Sequence, residues 1–276
     1  RTKRRGSRKR ACSSRDPKRS ICRKANTRAT DTVTVTTSGE DKQALREEVW
    51  TALEENDQSL FPGAEGRIPN FKGRGEAADR LTQRDCFESA SAIKINPDSP
   101  QTPVRKQALA SGKTLYMAVP KLKKRACFLE LDPAALDVSP KEAATLKGAS
   151  REGEPVHPEE MQRVDLIVTG AVAVDNRGAR LGKGGGYSDL EFAILNHFDR
   201  VEPDVTIAST VHPLQELEPG RIPREYQDIS LNLFARPDRV TEVQDPDSRA
   251  GELDFERLSE EKINAIPILG ELRPGS

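Results

Sequence analysis

The amino-acid sequence predicts an α/β fold built around a parallel sheet. Short apolar runs rich in β-branched residues, which are typical of buried strands, alternate along the chain with amphipathic helical patterns. The chain has 276 residues, of which 35% are hydrophobic, so it can bury one substantial core, as one domain or as one domain with appendages. Strands that alternate with helices form βαβ units, and such units build parallel sheets.

The charged residues are unevenly distributed. Lys and Arg total 44, and so do Asp and Glu, but the first thirty residues are crowded with Lys and Arg and contain a single acid, Asp16. We expect residues 1–37 to be a disordered basic leader, because like charges repel and few apolar side chains are present. A nucleic-acid-binding arm, a transit peptide and translation from upstream of the true start remain open interpretations.

The cysteines and the apolar runs restrict the class of protein. The four cysteines form no CxxC pair, and two of them lie in the basic leader, which argues against a disulfide framework or a zinc site. No apolar run reaches membrane-spanning length, and no apolar signal-peptide core is visible. We therefore expect a cytoplasmic protein without a membrane partner.

Folded sequence is predicted to begin at Ser38. Residues 38–41 resemble a capping box, and the residues that follow continue as an amphipathic helix. Lys42 and Arg46 stand four positions apart, so they project from one face of this helix. On the sequence alone, these two residues are explained as part of a solvated helix face.

The remaining elements follow from the same patterns. The sequence predicts, in order, a helix over 77–87, a strand over 91–96, a helix over 104–111, strands over 114–119 and 127–131, helical and loop material over 132–163, a strand over 205–211, a polar linker over 236–251 and a helix over 255–266. The basic residues 121–125 form either a solvated loop or a site for nucleic acid or an anionic ligand tail. We divide the chain into the leader 1–37, a domain over 38–237, and a linker with a short helical tail over 238–276.

A glycine-rich stretch stands at the centre of the sequence. Residues 166–174 form an apolar run that predicts one buried strand, and residues 175–178 predict a turn. Arg180, Gly182 and Lys183 come next, then three consecutive glycines, Tyr187 and a helix with Asp189 in its first turn. The glycines are Gly184, Gly185 and Gly186.

This stretch has the composition of a phosphate-binding loop. Glycines let backbone N–H groups approach an anion, and the N-terminus of the following helix adds its positive dipole. Arg180 and Lys183 would neutralise phosphate charge, and Asp189 offers oxygen ligands to Mg²⁺. The stretch matches neither G-x-x-x-x-G-K-[ST] nor G-x-G-x-x-G. A glycine-rich turn with solvated charges is the alternative.

Residues 180–189 resemble the RLG[RK]G-x-GYYD loop of 5-formyltetrahydrofolate cyclo-ligases (methenyltetrahydrofolate synthetases), with Ser188 in place of the second tyrosine. The resemblance implies a single three-layer α/β domain with a mixed, mainly parallel sheet. It implies ATP-dependent closure of 5-formyltetrahydrofolate to 5,10-methenyltetrahydrofolate, with ATP and Mg²⁺ as cofactors. The formyl oxygen would attack the γ-phosphate, and N10 would then close on the activated carbon and expel phosphate.

The resemblance also implies roles for particular residues. The K-x-x-L-R pattern over 42–46 matches the family's start, whose basic residues meet ATP phosphates. The segment 226–232 resembles the family's [HN]-D-x-x-x-D, so Asp228 would join Asp189 as a magnesium ligand, although Asn232 replaces the second acid. The expected ATP-binding residues are Lys42, Arg46, Arg180, Gly182, Lys183, Gly184, Gly185, Gly186 and Tyr187. Tyr187 would also contact the folate, at a mouth that both substrates share.

The folate pocket departs from the family pattern. Family members hold the pterin with a glutamate from an acidic segment, and residues 98–103 contain no glutamate. Asp98 and Gln101 are the available substrate-binding residues. Because a carboxylate accepts two parallel hydrogen bonds and an amide only one, we expect weak folate binding and poor turnover, improved by Gln101→Glu.

Two other functions stay open. A diverged member of the family could bind nucleotide or RNA without folate ring closure, which the basic leader and residues 121–125 would suit. An enzyme with the same ATP chemistry and another acceptor is the second. We expect a monomer whose partners are the folate and ATP, with nucleic acid possible through the leader but not favoured.

Overall fold

The computed structural model describes residues 38–244, 246 and 251–275. Its α-helices are α1 (Ser38–Glu55), α2 (Arg74–Thr82), α3 (Asp85–Glu88), α4 (Thr102–Ala110), α5 (Pro140–Ala143), α6 (Leu146–Glu152), α7 (Tyr187–His197), α8 (Glu260–Ala265) and α9 (Pro267–Leu272). Its strands are β1 (Ala92–Ile95), β2 (Thr114–Ala118), β3 (Phe128–Leu131), β4 (Glu154–Val156), β5 (Val164–Val168), β6 (Ala173–Asp175), β7 (Arg180–Leu181), β8 (Val201–Thr210), β9 (Glu216–Leu217), β10 (Leu233–Ala235) and β11 (Val240–Glu242). The predicted disorder of residues 1–37 concerns residues outside this described part.

The large sheet has the strand order β11-β10-β8-β5-β1-β2-β3-β4. Its central strands, from β10 to β2, are parallel to one another. Strands β3 and β4 at one edge and β11 at the other are antiparallel. The predicted mixed, mainly parallel sheet is therefore confirmed.

Helices cover both faces of this sheet. Helix α4 connects β1 to β2, and α7 connects β5 to β8, in the opposite direction across the sheet. Since right-handed crossovers in opposite directions place their helices on opposite faces, α4 and α7 form the two outer layers. Helix α2 packs beside α4. The three-layer α/β class is confirmed.

Much of both faces of the central strands is buried, which explains the apolar runs within their sequences. Ile93, Leu115, Leu166 and Ile207 have no solvent-exposed surface. A second cluster joins α1 to the small sheet β7-β6-β9 through Leu45, Val49, Leu53, Val172, Ala173 and Leu181. This packing places the N-terminal half of α1 beside the glycine-rich stretch.

The apolar run 166–174 is not one strand, so that prediction is wrong. Strand β5 ends at Val168, and the chain then enters β6 of the small sheet. At Gly170, between them, an added Cβ would lie 2.9 Å from Cγ2 of Ile68, so the backbone passes close to a neighbouring segment. The run stays apolar because its residues are buried in both sheets.

Other elements also differ from the predictions. The predicted helical and loop material over 132–163 contains strand β4, and the helix predicted over 255–266 is limited to α8. The predicted helix over 77–87 is divided into α2 and α3, which meet at residues 83–84. The predicted polar linker over 236–251 contains β11, which pairs with β10 and extends the large sheet.

Of the helices in residues 38–244 and 251–275, not one combines the length and apolar character that crossing a lipid bilayer demands.

Candidate functional site

The strand order of the large sheet reverses between β1 and β5. From β1 the chain moves to β2 on one side, and from β5 it moves to β8 on the other. Ligands of open α/β sheets bind beyond the C-terminal ends of the strands at such a reversal. Residues 96–98 follow β1 at this edge, and residues 169–170 follow β5.

The glycine loop, residues 182–186, lies at this edge between β7 and α7. Gly184 and Gly186 have φ angles of 104° and 63°, a region that residues with a Cβ adopt only at a cost. Gly186 is the N-cap residue of α7, and it supplies no side-chain cap. The first N–H groups of α7 and their dipole therefore face the loop, as an anion site requires. The predicted helix after the loop is confirmed.

Helix α1 brings Arg46 to the glycine loop and Lys42 to the segment that contains Glu225 and Asp228. Arg46 donates a hydrogen bond from Nε to the carbonyl oxygen of Gly182 at 2.8 Å. Lys42 places Nζ 2.6 Å from Oδ2 of Asp228 and 3.1 Å from Oε2 of Glu225. Burial lowers the pKa of Arg46, and the charges of Asp228 and Glu225 oppose this shift.

Two further ion pairs hold the loop to the sheet edge. The guanidinium of Arg180 is buried, with one nitrogen 2.7 Å from Oδ1 of Asp189 and another 3.2 Å from the carbonyl oxygen of Gly170. Lys183 places Nζ 3.0 Å from Oδ1 of Asp98, in the segment that follows β1. Each of these predicted phosphate-binding cations is thus paired with a carboxylate.

The carboxyl group of Asp189 is buried, and its pKa is set by opposing effects. Burial alone raises the pKa. The charge and hydrogen bond of Arg180, together with a 3.1 Å hydrogen bond from the amide of Ile229, outweigh burial and bring the pKa below its ordinary value. Asp189 is therefore ionised at neutral pH.

The two expected magnesium ligands lie on adjoining segments, because Asp189 accepts a hydrogen bond from the residue after Asp228. The hydrogen bonds to these carboxylates use Oδ1 of Asp189 and Oδ2 of Asp228. Within the described ranges, no three His, Cys, Asp or Glu side chains are grouped to hold a metal. One or two carboxylates fit a magnesium ion that also binds nucleotide phosphates, rather than a cage made of protein alone.

A cavity of about 420 Å³ opens on one side of the glycine loop. Its walls include Ile68, Asn70, Asn96, Asp98, Lys121 and Tyr187. This volume is within the range of small-molecule sites. Asp98 and Tyr187, two of the predicted substrate-binding residues, line this cavity.

The structure does not bring Gln101, the third predicted substrate-binding residue, to this cavity. Its side chain has no exposed surface, and Nε2 donates to the hydroxyl of Thr210 at 3.3 Å. Its Oε1 is buried without a hydrogen-bond partner among the described residues. The residue lies in a short 3₁₀ turn before α4, and this turn directs the amide into the core. Because Gln101→Glu would bury a carboxylate in the core, the expectation that this change improves turnover is corrected.

Sequence reasoning missed a buried polar network beside the glycine loop. Lys94 of β1 forms an ion pair with Glu191 of α7, and its Nζ also donates to Oδ1 of Asn96 at 2.6 Å. Asn96 in turn donates to the hydroxyl of Ser188 at 2.9 Å. The signal for this network is a lysine within an apolar strand that is buried at every position, since a buried charge requires a partner.

A second cavity, of about 630 Å³, lies on the other side of α7. Gly186 and Asp189 line both cavities, so the two meet at the end of the glycine loop. The far wall of the second cavity consists of residues from the C-terminal segment 252–259 and of Lys262. No sequence pattern indicated that the predicted helical tail would reach this site.

Comparisons with known proteins identify a matching family model and similar sequences. The model of the 5-formyltetrahydrofolate cyclo-ligase family matches residues 38–236. The methenyltetrahydrofolate synthase domain-containing protein of Mus musculus is 34% identical over 242 residues, which cover 86% of this chain and 64% of that protein. Its Homo sapiens counterpart is 33% identical over 239 residues, with 85% and 62% covered. The chain therefore spans less than two thirds of the length of these relatives.

Two solved structures are also similar. A 5,10-methenyltetrahydrofolate synthetase of Aquifex aeolicus is 20% identical with a TM-score of 0.46, and the match covers 80% of this chain and 99% of that one. A 5,10-methenyltetrahydrofolate synthetase of Mycoplasma pneumoniae is 12% identical with a TM-score of 0.42, and the match covers 71% and 98%.

Proposed function

Because the chain belongs to the 5-formyltetrahydrofolate cyclo-ligase family, we propose that it closes 5-formyltetrahydrofolate to 5,10-methenyltetrahydrofolate at the expense of ATP. The observation that carries this proposal is that two cavities meet at the glycine loop. A reaction between a nucleotide and a second substrate requires two binding sites that share the point of phosphoryl transfer. Gly186 and Asp189 occupy that point.

The nucleotide phosphates would bind the glycine loop and the N-terminus of α7. Arg46 and Arg180 lie against the loop backbone and the sheet edge. Lys183 belongs to the loop and Lys42 to helix α1, and each is held in an ion pair with a carboxylate. Phosphate oxygens would compete for the two lysines, because a charge-assisted bond to phosphate replaces the bond to a carboxylate. The ion pairs thus keep the lysines in place before the nucleotide arrives.

Asp228 and Asp189 would hold a magnesium ion bound together with the phosphates. The ion supplies neutralisation of phosphate charge. Once Lys42 turns to phosphate, the Asp228 carboxylate is released from its closest cation and can act as an oxygen ligand. Asp189 keeps Arg180 as its partner, so it would contribute its other oxygen.

The folate would occupy the cavity of about 420 Å³. Its formyl oxygen would attack the γ-phosphate and release ADP, and N10 would then attack the activated carbon and release phosphate. The protein needs no nucleophile for either step, because positioning and charge stabilisation suffice in phosphoryl transfer. Asp98 would accept hydrogen bonds from the pterin, Tyr187 would lie between the substrates, and Lys121 suits the anionic end of the folate.

The test uses the full chain with MgATP and 5-formyltetrahydrofolate, and follows the absorbance of methenyl-folate. We expect product formation that depends on both substrates and is lost in Arg46→Met. Lys106→Met is a matched control, since Lys106 is an exposed residue of α4 that lines neither cavity. MgATP binding without methenyl-folate formation would support the alternative of a nucleotide-binding protein without ring closure.

A further inference from the structure

The C-terminal helices α8 and α9 lie outside the residues that match the family, yet they pack on the body of the domain. Ile263, Ile266, Ile268 and Leu269 are buried in the main core. The hydroxyl of Ser259 accepts a 3.2 Å hydrogen bond from the amide of Lys262, which caps the start of α8. These contacts hold α8 in one position against the glycine loop.

Lys262 places its ammonium group on the glycine loop. Nζ donates to the carbonyl oxygen of Gly185 at 3.0 Å and lies 5.4 Å from the ring centroid of Tyr187. A Cβ added at Gly186 would lie 3.2 Å from the same nitrogen. The cation therefore reaches the point where the glycine loop passes into α7, and where the two cavities meet.

Lys262 differs from three of the other cations of the site in having no paired carboxylate. Lys42, Arg180 and Lys183 each form an ion pair with a carboxylate, whereas Lys262, like Arg46, forms none with the described residues. Burial lowers the pKa of its ammonium group, and the charge of Asp189 opposes this shift. A half-buried cation without a paired carboxylate is stabilised when an anion binds beside it.

The cavity of about 630 Å³ extends from Lys262 toward groups that suit a nucleoside. Tyr226 is 59% exposed, and the guanidinium of Arg257 lies 5.1 Å from its ring centroid. Leu253 and Leu258 give apolar surface. An aromatic ring with a guanidinium provides a stacking surface for a base.

We propose that residues 252–262 complete the nucleotide site, with Lys262 binding the phosphate chain of a nucleoside triphosphate and the cavity beside Tyr226 holding its nucleoside. This inference rests on the proposed function, because it takes the glycine loop as the phosphate site. It assigns a binding side chain to a segment beyond the family-matched domain. The nucleoside and the folate would then enter from opposite sides of α7.

The experiment compares Lys262→Met, Lys262→Arg and Tyr226→Ala with the full parent chain by calorimetric titration. The probes are MgATP and inorganic triphosphate. Lys262→Met should lower the affinity for both probes by about tenfold to a hundredfold, the value of one charge-assisted contact. Lys262→Arg should retain most of the parent's affinity. Tyr226→Ala should weaken MgATP by about tenfold and leave triphosphate binding unchanged.

Three outcomes distinguish the inference from the function on which it rests. A parent chain that binds neither probe overturns the proposed nucleotide function itself. A parent that binds MgATP, together with a Lys262→Met variant that binds it equally well, overturns the role of Lys262 alone. Equal losses of both probes in Tyr226→Ala overturn the nucleoside cavity. Thermal unfolding of each variant checks that α8 remains docked.

Discussion

Nζ of Lys42 lies 2.6 Å from Oδ2 of Asp228, so a residue of the first helix is joined to one that follows it by 186 positions. Both side chains are largely buried, with exposed fractions of 10% and 17%. The expected phosphate ligand and the expected magnesium ligand are therefore partners before any substrate binds. Replacing Lys42 or Asp228 singly therefore distinguishes the expected phosphate contact from the expected magnesium contact.

Asp228→Asn should reduce the affinity for MgATP by about tenfold and leave the affinity for ATP without magnesium unchanged. Lys42→Met should weaken binding of both forms, because it removes a phosphate contact. Calorimetric titration with and without magnesium measures both effects. If Asp228 serves only to hold Lys42, the two variants will lose affinity in parallel and neither loss will depend on magnesium.

Gly184→Val should abolish measurable MgATP binding, because it places a branched side chain where phosphate must approach and strains a backbone with φ of 104°. We expect a loss of stability of about 1–3 kcal/mol from the backbone strain. Gly270→Ala is the matched control. It lies within α9, where an added Cβ meets nothing within 4 Å, and should stabilise the helix by about 0.5–1 kcal/mol. Full MgATP binding by Gly184→Val would place the phosphates elsewhere.

The spacing of apolar residues in the sequence predicted those helices and strands whose buried positions recur at a short, regular interval. The strand–helix–strand order of β1, α4 and β2, and the glycine loop followed by α7, could be predicted from such patterns. The end of β5 could not be predicted from the sequence. The residues before Gly170 are buried in the large sheet and those after it in the small sheet, so the whole run is apolar and shows no boundary. The burial of Gln101 escaped prediction because an amide in a short turn carries no signal of its direction.

Contacts between distant residues account for the rest of the site. Lys94 and Glu191 are 97 positions apart, and Lys262 is 77 positions from Gly185. Neither separation leaves a periodic signal, because the pairing depends on how β1 packs against α7 and on how α8 docks. The glycine pattern located the loop and the resemblance to a family implied roles for its residues, but α8 lies beyond the matched residues and so no motif included Lys262.

Lys94→Met should destabilise the fold strongly, because it leaves the buried carboxylate of Glu191 without its cation. Removing one partner of a buried ion pair costs about 3–5 kcal/mol. The double variant Lys94→Met with Glu191→Gln should lose much less than the sum of the single changes, since no charge remains buried. Denaturant unfolding gives all three free energies. Additive losses would show that the two side chains act independently.

Asp189 should make stability depend on pH in the acid range. The pKa of Asp189 is lower in the folded protein than the ordinary value of 3.8. Its contribution to the free energy of unfolding is therefore present above pH 3.8 and is lost as the pH falls toward the folded-state pKa. Asp189→Asn should remove this part of the acid transition. It should also destabilise the fold by about 3–5 kcal/mol at neutral pH, since Arg180 loses its partner in a buried pair. An unchanged acid profile, measured by unfolding at a series of pH values, would contradict the ion pair.

Asp98 is the residue that we propose binds the pterin, because Gln101 lies in the core. Its Oδ1 pairs with Lys183, so a change at Asp98 could act on the folate directly or through the glycine loop. If Asp98 binds the pterin, Asp98→Ala should raise the KM for 5-formyltetrahydrofolate by about tenfold to a hundredfold, the value of a charge-assisted contact, while MgATP affinity stays constant. Lys183→Met should show the reverse pattern. Gln101→Glu should lower stability without improving turnover, because it buries a carboxylate beside Thr210. Steady-state kinetics with each substrate varied in turn separates these cases, and an equal loss of MgATP affinity in Asp98→Ala and Lys183→Met would reduce Asp98 to a support for the loop.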